Sequence, residues 1–239
     1  LHGPPPDFRE GEPRVPIVQP VFRFAPSPNG YLHLGHAYSA LLNERLARES
    51  GGRLLLRVED IDTIRCRPAL VDAVFQDLDW LGFHWEQPVL RQSTQFSRYQ
   101  AVLAGLDGEG LVYPCFCSRK EIQRVGAGQA SRDPDGAPLY PGICRHLTEP
   151  ERAERMAAGK PFSIRLDLAM ALQRVSGADL SWQEAGEGAV PAFPERWGDV
   201  ILGRKEMPAS YHLAVVLDDA LQGTSDVVRG RDLYQATSV

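Results

Sequence analysis

The chain has 239 residues, of which 43% are hydrophobic, and its formal net charge is -5 at pH 7. This composition excludes a largely disordered chain, and the length suffices for one large domain or for one domain with an insertion. The acidic balance argues against a protein that holds nucleic acid by bulk charge alone, although a local basic face stays open. Apolar runs fall far below the ~18 residues of a membrane span, and no secretory signal is visible. We therefore expect a cytoplasmic protein without a membrane partner.

The first part of the chain predicts a βαβ unit. Residues 1–20 are rich in proline and are expected to form an extended or disordered lead-in. A short strand is predicted at Val21–Phe24, a helix from about His33 to the glycines at 51 and 52, and a buried strand at 54–58. Strands joined by such a crossover run parallel.

Two further helices are predicted before the pattern changes. Pro68 opens the first of them, which Gly82 ends, and residues 95–109 form the second. Regular periodicity is then lost between 111 and 146, where three of the four cysteines lie. In a reducing compartment, clustered cysteines indicate a metal site more often than a disulfide.

The last part of the chain predicts further strands of the same α/β sheet. A short helix is expected at 151–158, a strand at 162–166 and a long surface excursion at 176–196. Three apolar runs are interpreted as strands, at 199–202, 213–217 and 226–229. The residues alone thus indicate an α/β sheet interrupted by a metal-bearing insert.

The turn after the first strand is the most informative segment. His33 and His36 lie one helical turn apart, so at a helix start they share a face with free backbone N–H groups. Such donors would stabilise the charge that develops on an attacked triphosphate, and Gly35 would leave room for a flat ring against the backbone. Two alternatives stay open: the histidines cap a surface helix, or they form a metal pair, for which no further ligand is close in sequence.

Four ordered motifs resemble those of class I aminoacyl-tRNA synthetases of the glutamyl branch. They lie at residues 23–36, 56–62, 214–220 and 227–230. The resemblance implies a Rossmann-like parallel sheet with a zinc-bearing insertion. It divides the chain into a first catalytic half at 21–110, a zinc-bearing insertion and acceptor-side region at 111–196, and a second catalytic half at 197–239. The family also has a Lys-x-Ser-Lys nucleotide loop, which does not follow Arg229 here, so we expect the second half to be cut short.

Within that family the chain is most similar to a shortened branch that lacks the anticodon-binding domain. This similarity implies activation of L-glutamate with ATP and Mg²⁺, followed by transfer to the queuosine base of tRNA(Asp) by a monomer. One alternative is the catalytic half of an ordinary glutamyl-tRNA synthetase. A second alternative, from a different class, is a zinc-stabilised RNA-binding module without activity.

The resemblance also assigns roles to residues. His33 and His36 would be catalytic and would bind ATP together with Pro26 and Gly35. Glu59 would take the substrate ammonium, Arg229 the side-chain carboxylate, and Tyr211 and Ser27 would supply neutral hydrogen bonds. The remaining substrate-binding positions implied by the family are Arg23, Phe24, Ala25 and Pro26. For Arg229 the alternative is a surface ion pair, and for Tyr211 it is half-buried packing at a strand start. For Glu59 the alternative is a helix-capping or paired acid.

The cysteine cluster is predicted to be a closed structural Zn²⁺ site. Cys115, Cys117 and Cys144 would supply three thiolates. The family pattern implies Tyr140 as the fourth ligand, whereas His146 is chemically the commoner choice. Cys66 lies far away in sequence and is interpreted as a plain thiol.

Overall fold

The computed structural model describes residues 19–126, 132–204 and 207–239. The predicted lead-in at 1–20 lies, except for its last two residues, outside this part of the chain. Within the described ranges, each helix is too short or too polar to cross a bilayer.

The predicted βαβ unit is confirmed. Strand β1 (Val21–Phe24) pairs in parallel with β2 (Arg53–Val58), and helix α1 (Leu34–Glu49) connects them. Helix α2 (Pro68–Trp80) then leads to β3 (Glu86–Arg91), which pairs in parallel with the other edge of β2. Pro68 occupies the first turn of α2, where a missing N–H costs nothing. The apolar faces of these elements pack into one core cluster that includes Phe22, Leu56 and Leu78.

A second, antiparallel sheet follows. Strand β5 (Ser163–Leu166) is its centre, with β4 (Val112–Cys115) and β8 (Ile201–Arg204) on its two sides. This sheet combines strands from both sides of residue 196, and the predicted domain boundaries stay predictions. A separate hairpin pairs β6 (Ser181–Glu184) with β7 (Gly188–Pro191) inside the segment expected to be a surface excursion.

Five further α-helices follow β3 among the described residues. The helix predicted at 95–109 is confirmed as α3, and the one at 151–158 as α5. The five helices after β3 are α3 (Phe96–Gly108), α4 (Arg119–Gly126), α5 (Glu149–Ala157), α6 (Leu168–Arg174) and α7 (Tyr211–Gln222). Helices α3 and α7 share a second core cluster, to which Tyr99, Leu202 and Ala214 contribute.

Two of the predicted strands are wrong. Residues 213–217 lie inside helix α7, which begins after Ser210 as N-cap and ends at Gly223 in the left-handed conformation, with φ 65°. Residues 226–229 form no strand, and only a single parallel bridge joins Asp226 to Phe22 of β1. That bridge still places this segment beside the parallel sheet, on the edge of β1 opposite β2.

Candidate active site

The two histidines after β1 cap helix α1. The Nδ1 atom of His33 accepts the backbone N–H of Gly35 at 3.1 Å, and Nδ1 of His36 accepts that of His33 at 3.2 Å. The two rings lie together, with centroids 3.9 Å apart. Helix capping, one of the alternatives left open by the sequence, is therefore what these side chains do in this structure.

The same contacts define which nitrogens remain available. Because each Nδ1 accepts a hydrogen bond, the neutral rings have their proton on Nε2, which leaves an N–H donor on each ring. Burial, and then the neighbouring His33, lower the pKa of His36, which favours this neutral form. A Cβ at residue 35 would lie 3.0 Å from Cε1 of His33. On that side of Gly35, the His33 ring occupies the room expected for a flat ligand.

A cavity of about 640 Å³ opens beside the ends of β1 and β2. Ser27, Glu59 and Tyr211, three of the predicted substrate-binding residues, line it together. The turn and the strand end are fastened to each other, since the Glu59 N–H donates to the Pro26 carbonyl at 3.0 Å. Glu59 follows Ser27 by 32 positions in the chain, and Tyr211 follows Glu59 by 152 positions. The structure therefore brings three distant residues to one opening.

Arg229 contacts these residues through Tyr211. Its Nη1 donates to the Tyr211 hydroxyl at 3.3 Å, and its Nη2 donates to the hydroxyl of Thr237. Arg229 itself lines a second cavity of about 1050 Å³, which also contains Trp182 and Tyr234. Tyr211 is thus the link between Arg229 and the first cavity. The predicted strand start at Tyr211 is wrong, since Tyr211 is the first residue of helix α7.

Glu59 and three charged side chains behind it form one cluster of ion pairs. Arg23 donates through Nε to Asp219 at 3.0 Å, and Arg57 donates through Nη1 to the same carboxylate at 2.6 Å. Arg57 also donates to Oε1 of Glu59, at 3.3 Å from Nε and 3.1 Å from Nη2. Arg23 is only 4% exposed and does not line the first cavity, so this side chain is primarily part of an ion cluster.

The pKa values of the two acids are shifted in opposite directions. It outweighs the attraction of Arg57 and Arg23 at Glu59, so the pKa of Glu59 is raised. At Asp219 burial also opposes ionisation, but Arg23 and Arg57 together overcome it, and the pKa of Asp219 is lowered. Asp219 is therefore the firmly ionised member, whereas a further positive charge at Glu59 would favour its ionised form.

Other predicted positions do not present side chains to the cavity. Phe24 is 4% exposed and packs edge-on against Phe83, with ring centroids 5.7 Å apart. Phe24 thus has only its main chain for a ligand. His33, His36, Pro26 and Ala25 are also absent from the lining of the first cavity. Cys66 is close to the site despite its distance in sequence, since its sulfur lies 4.0 Å from the Ser27 hydroxyl.

The three clustered cysteines come together as predicted. The sulfurs of Cys115, Cys117 and Cys144 all lie within 4.8 Å of one another, and those of Cys117 and Cys144 are 3.5 Å apart. The Tyr140 hydroxyl lies 3.7 Å from the Cys117 sulfur and accepts the Cys144 N–H at 2.8 Å. His146, the alternative ligand, is exposed and is not part of this cluster. Three soft thiols are compatible with zinc, and the Tyr140 hydroxyl is the oxygen that lies beside them.

The thiols of the cluster differ in acidity. Burial, together with the contact with Cys144, raises the pKa of Cys117 to about 12, although the hydrogen bond with Tyr140 acts in the opposite direction. Burial also opposes ionisation of Cys144, but hydrogen bonds from Tyr140 and the Phe116 N–H lower its pKa. A buried group of thiols with one acidified member would bind a positive ion by releasing protons.

The first cavity extends from the sheet edge to Tyr140, which lies beside the cysteine cluster. Tyr140 and Arg165 line it together with Glu59. The guanidinium of Arg165 lies 4.0 Å from the centroid of the Tyr140 ring, and its Nη1 donates to the Asp199 carbonyl at 2.5 Å. The tyrosine of the predicted metal site is therefore also a wall of the cavity.

Sequence reasoning missed three charged residues of this region: Arg57, Asp219 and Arg165. A charged residue within a buried apolar strand is seldom unpaired, so Arg57 inside β2 was the available signal for a buried acid elsewhere. Nothing in the sequence identified Asp219 as that acid, because its segment was interpreted as a strand and its end.

A family model described as tRNA synthetases class I (E and Q), catalytic domain, matches residues 20–239. The glutamyl-Q tRNA(Asp) synthetase of Rhodobacter capsulatus is 44% identical over 229 residues, which cover 92% of this chain and 79% of the relative. That of Symbiobacterium thermophilum is 42% identical and aligns with 90% of this chain and 67% of the relative. The glutamate–tRNA ligase of Coprothermobacter proteolyticus is 36% identical, over 88% of this chain and 44% of the ligase.

The fold has a solved counterpart. The crystal structure of a glutamate tRNA ligase from Elizabethkingia meningosepticum superimposes with a TM-score of 0.72 at 24% identity and covers 92% of this chain. The chain spans 45% of the length of that ligase, so this likeness concerns the fold of the shared part. Taken with the family match over nearly all of the chain, these relatives show that the chain belongs to the class I tRNA synthetases (E and Q), of which it contains the catalytic domain.

Proposed function

We propose that this chain activates glutamate with ATP and transfers it to the queuosine base of tRNA(Asp). The observation that supports the activation step is the convergence of Ser27, Glu59 and Tyr211 on one cavity, with Arg229 bonded to the tyrosine. The acceptor is supported by relatives at 37–44% identity that are named glutamyl-Q tRNA(Asp) synthetases.

Glutamate has an ammonium and two carboxylates, and the first cavity, together with the Arg229 that donates to Tyr211, offers a partner for each kind of charge. Oε1 of Glu59 accepts both hydrogen bonds from Arg57, which leaves Oε2 to accept from the substrate ammonium. Arg229, with the Tyr211 hydroxyl beside it, would bind the side-chain carboxylate. A guanidinium fork fits a carboxylate and disfavours the neutral amide of glutamine.

The first step needs no nucleophile from the protein. An oxygen of the substrate α-carboxylate attacks the α-phosphorus of ATP, the bond to the β-phosphate oxygen breaks, and pyrophosphate leaves. The family performs this reaction with ATP and Mg²⁺. The Nε2–H donors of His33 and His36 would stabilise the charge that grows on the phosphate oxygens. A hydroxyl of the queuosine base would then attack the activated carbonyl and release AMP.

The cysteine cluster would hold a structural zinc ion through Cys115, Cys117, Cys144 and Tyr140. A tetrahedral site with four protein ligands leaves no open position for a reacting water. The ion would supply folding energy and fix Tyr140 at the cavity, and we assign it no part in the chemical steps. We propose that the enzyme works as a monomer, which analytical ultracentrifugation would test.

Glutamate-dependent exchange of labelled pyrophosphate into ATP separates the three candidate functions. We expect exchange with the full-length protein in the absence of tRNA. Exchange only in the presence of tRNA would favour an ordinary glutamyl-tRNA synthetase. No exchange under either condition would favour a non-catalytic RNA-binding module. Glutamine in place of glutamate is the control for recognition of the carboxylate.

The acceptor is tested separately. Labelled glutamate should become attached to tRNA(Asp) that contains queuosine and not to the same tRNA with an unmodified guanosine. Replacing the 3′-terminal adenosine by its 2′,3′-dideoxy analogue removes the hydroxyls of ordinary aminoacylation and leaves the queuosine diol intact, and we expect the label to survive. Equal labelling of both tRNAs would refute the proposed acceptor.

A further inference from the structure

One carboxylate, that of Asp219, connects both arginines of the cluster of ion pairs. It accepts from Nε of Arg23 at 3.0 Å and from Nη2 of Arg23 at 3.3 Å, which is a side-on, two-point contact. The same carboxylate accepts from Nη1 of Arg57 at 2.6 Å. Asp219 comes from helix α7, whereas the arginines come from the neighbouring strands β1 and β2.

The contacts of Asp219 determine which atoms are left for a ligand. With Nε and Nη2 of Arg23 bonded to Asp219, Nη1 makes no hydrogen bond to the described residues. Arg57 is completely buried, and its position between Asp219 and Glu59 fixes which oxygen of Glu59 is taken. Two strand residues therefore have defined orientations because one helix residue holds them.

We propose that Asp219 is a positioning residue for glutamate. It acts through Arg23 and through Arg57 and Glu59, and it does not touch the substrate itself. This inference rests on the proposed function, because it assumes that the ammonium of glutamate binds at Glu59. The Tyr211 hydroxyl and Asp219 lie on the same helix, so one element would orient the partners of both ends of the substrate.

Charge is the reason why an isosteric amide should not replace Asp219. An asparagine would direct its NH₂ group toward one guanidinium and would leave two arginines to share a single acid, Glu59. Arg23 and Arg57 would then compete with the substrate ammonium for that carboxylate. A buried polar group that loses its partner costs several-fold to more than a hundredfold in an equilibrium constant.

The test is Asp219→Asn, with kinetics of pyrophosphate exchange in the full-length enzyme and glutamate affinity by calorimetry. We expect KM for glutamate to rise roughly 10- to 100-fold, while KM for ATP changes by less than about threefold. Asp219→Glu restores the charge and should recover part of the affinity. Unchanged glutamate affinity, or an equal weakening of glutamate and ATP, would overturn the proposal.

The matched control is Asp218→Asn on the same helix. Asp218 is fully buried and accepts hydrogen bonds from Gln92 at 2.9 Å, Tyr99 at 2.7 Å and Arg98 at 3.4 Å. Among the described residues it makes no hydrogen bond with Arg23 or Arg57. We expect lower resistance to urea without a selective rise in KM for glutamate. An equal selective rise in both variants would show that Asp219 has only a general structural role.

Two further arms keep the outcome clear. Gln222→Leu is the substitute test if Asp219→Asn does not fold. It removes only the neutral partner of Arg57 Nη1, which lies at 3.0 Å, and should raise KM for glutamate about threefold because Arg57 is then held less firmly. An unchanged KM in that variant would count against the proposal. Wild-type enzyme that activates no glutamate would refute the proposed function, whereas an active wild type with indifferent Asp219 variants would refute this inference alone.

Discussion

Two clusters lie beside the first cavity, one behind Glu59 and one behind Tyr140, and they are built on different physical principles. At the sheet edge, two arginines and two acids lie together, so the buried positive and negative charges balance within the protein. Beside Tyr140, the sulfurs of Cys115, Cys117 and Cys144 lie within 4.8 Å of one another. The first cluster pairs charges that the protein itself carries, whereas the thiols would lose protons on binding a cation.

The two clusters differ in how much of the tertiary fold each needs in order to form. Charge pairs between strands and helix require the whole tertiary fold, because Arg23 and Asp219 are far apart in the chain. The thiols come from a short segment whose tight geometry a metal ion can impose by itself. We therefore expect the two clusters to fail independently when one of them is damaged.

The largest effect is expected from loss of the metal. Cys144→Ser, or chelation of the wild type, should destabilise the insert by an amount on the order of 10 kcal/mol, the energy of a structural zinc site. Metal analysis should find one zinc per wild-type chain, and thermal unfolding should detect the loss. Cys66→Ser is the control, since Cys66 lies outside the cluster. A protein without zinc would end the assignment.

Breaking the charge cluster should come next. Arg57→Met leaves Glu59 without its buried partner and removes one of the two arginines that bind Asp219, and breaking such a buried pair typically costs about 3–5 kcal/mol of unfolding free energy. Arg53→Met is the matched control on the same strand, because Arg53 pairs with Glu86 at the surface, with both side chains more than 40% exposed. Urea unfolding of both variants checks the difference. Similar losses would mean that the buried pairs contribute no more than the exposed one.

Arg229→Ala tests the binding of glutamate separately from the binding of ATP. The loss of an arginine fork should weaken glutamate binding roughly 100-fold and leave ATP binding unchanged. Calorimetry with each ligand separately measures this. Arg231→Ala, two residues away and exposed, should retain full affinity. Unchanged glutamate affinity in Arg229→Ala would refute its assigned role.

Local patterns in the sequence were sufficient for part of this architecture. The β1–α1–β2 unit and the start of α2 follow from apolar periodicity and from Pro68, and the structure confirms them. Strand β3 was missed because Glu86–Arg91 is mostly polar and partly exposed, without the apolar alternation that indicates a strand. Its place in the sheet comes from pairing with β2, which is a long-range property.

Helix α7 shows why a short apolar run misleads. Residues 213–217 are consistent with a strand or with a buried helix, and their periodicity alone does not decide. The capping signals did distinguish them, since Ser210 precedes the run and Gly223 follows it. The error also concealed Asp219, because an acid at a strand end suggests a surface position, whereas on α7 it faces the buried arginines.

The smallest expected effect concerns His212, which lies next to Tyr211. Burial lowers the pKa of His212, Arg229 lowers it further, and Asp135 acts in the opposite direction. The folded state therefore binds fewer protons than the unfolded chain below a pH of about 6.5, so stability falls as the pH falls through that range. His212→Gln should lose less stability between pH 7.5 and 5.5 than the wild type, as measured by urea unfolding at both values. His84→Gln changes a histidine whose side chain is 89% exposed and should retain the wild-type pH dependence. If stability changes equally with pH in the wild type and in both variants, the pH response does not arise from His212.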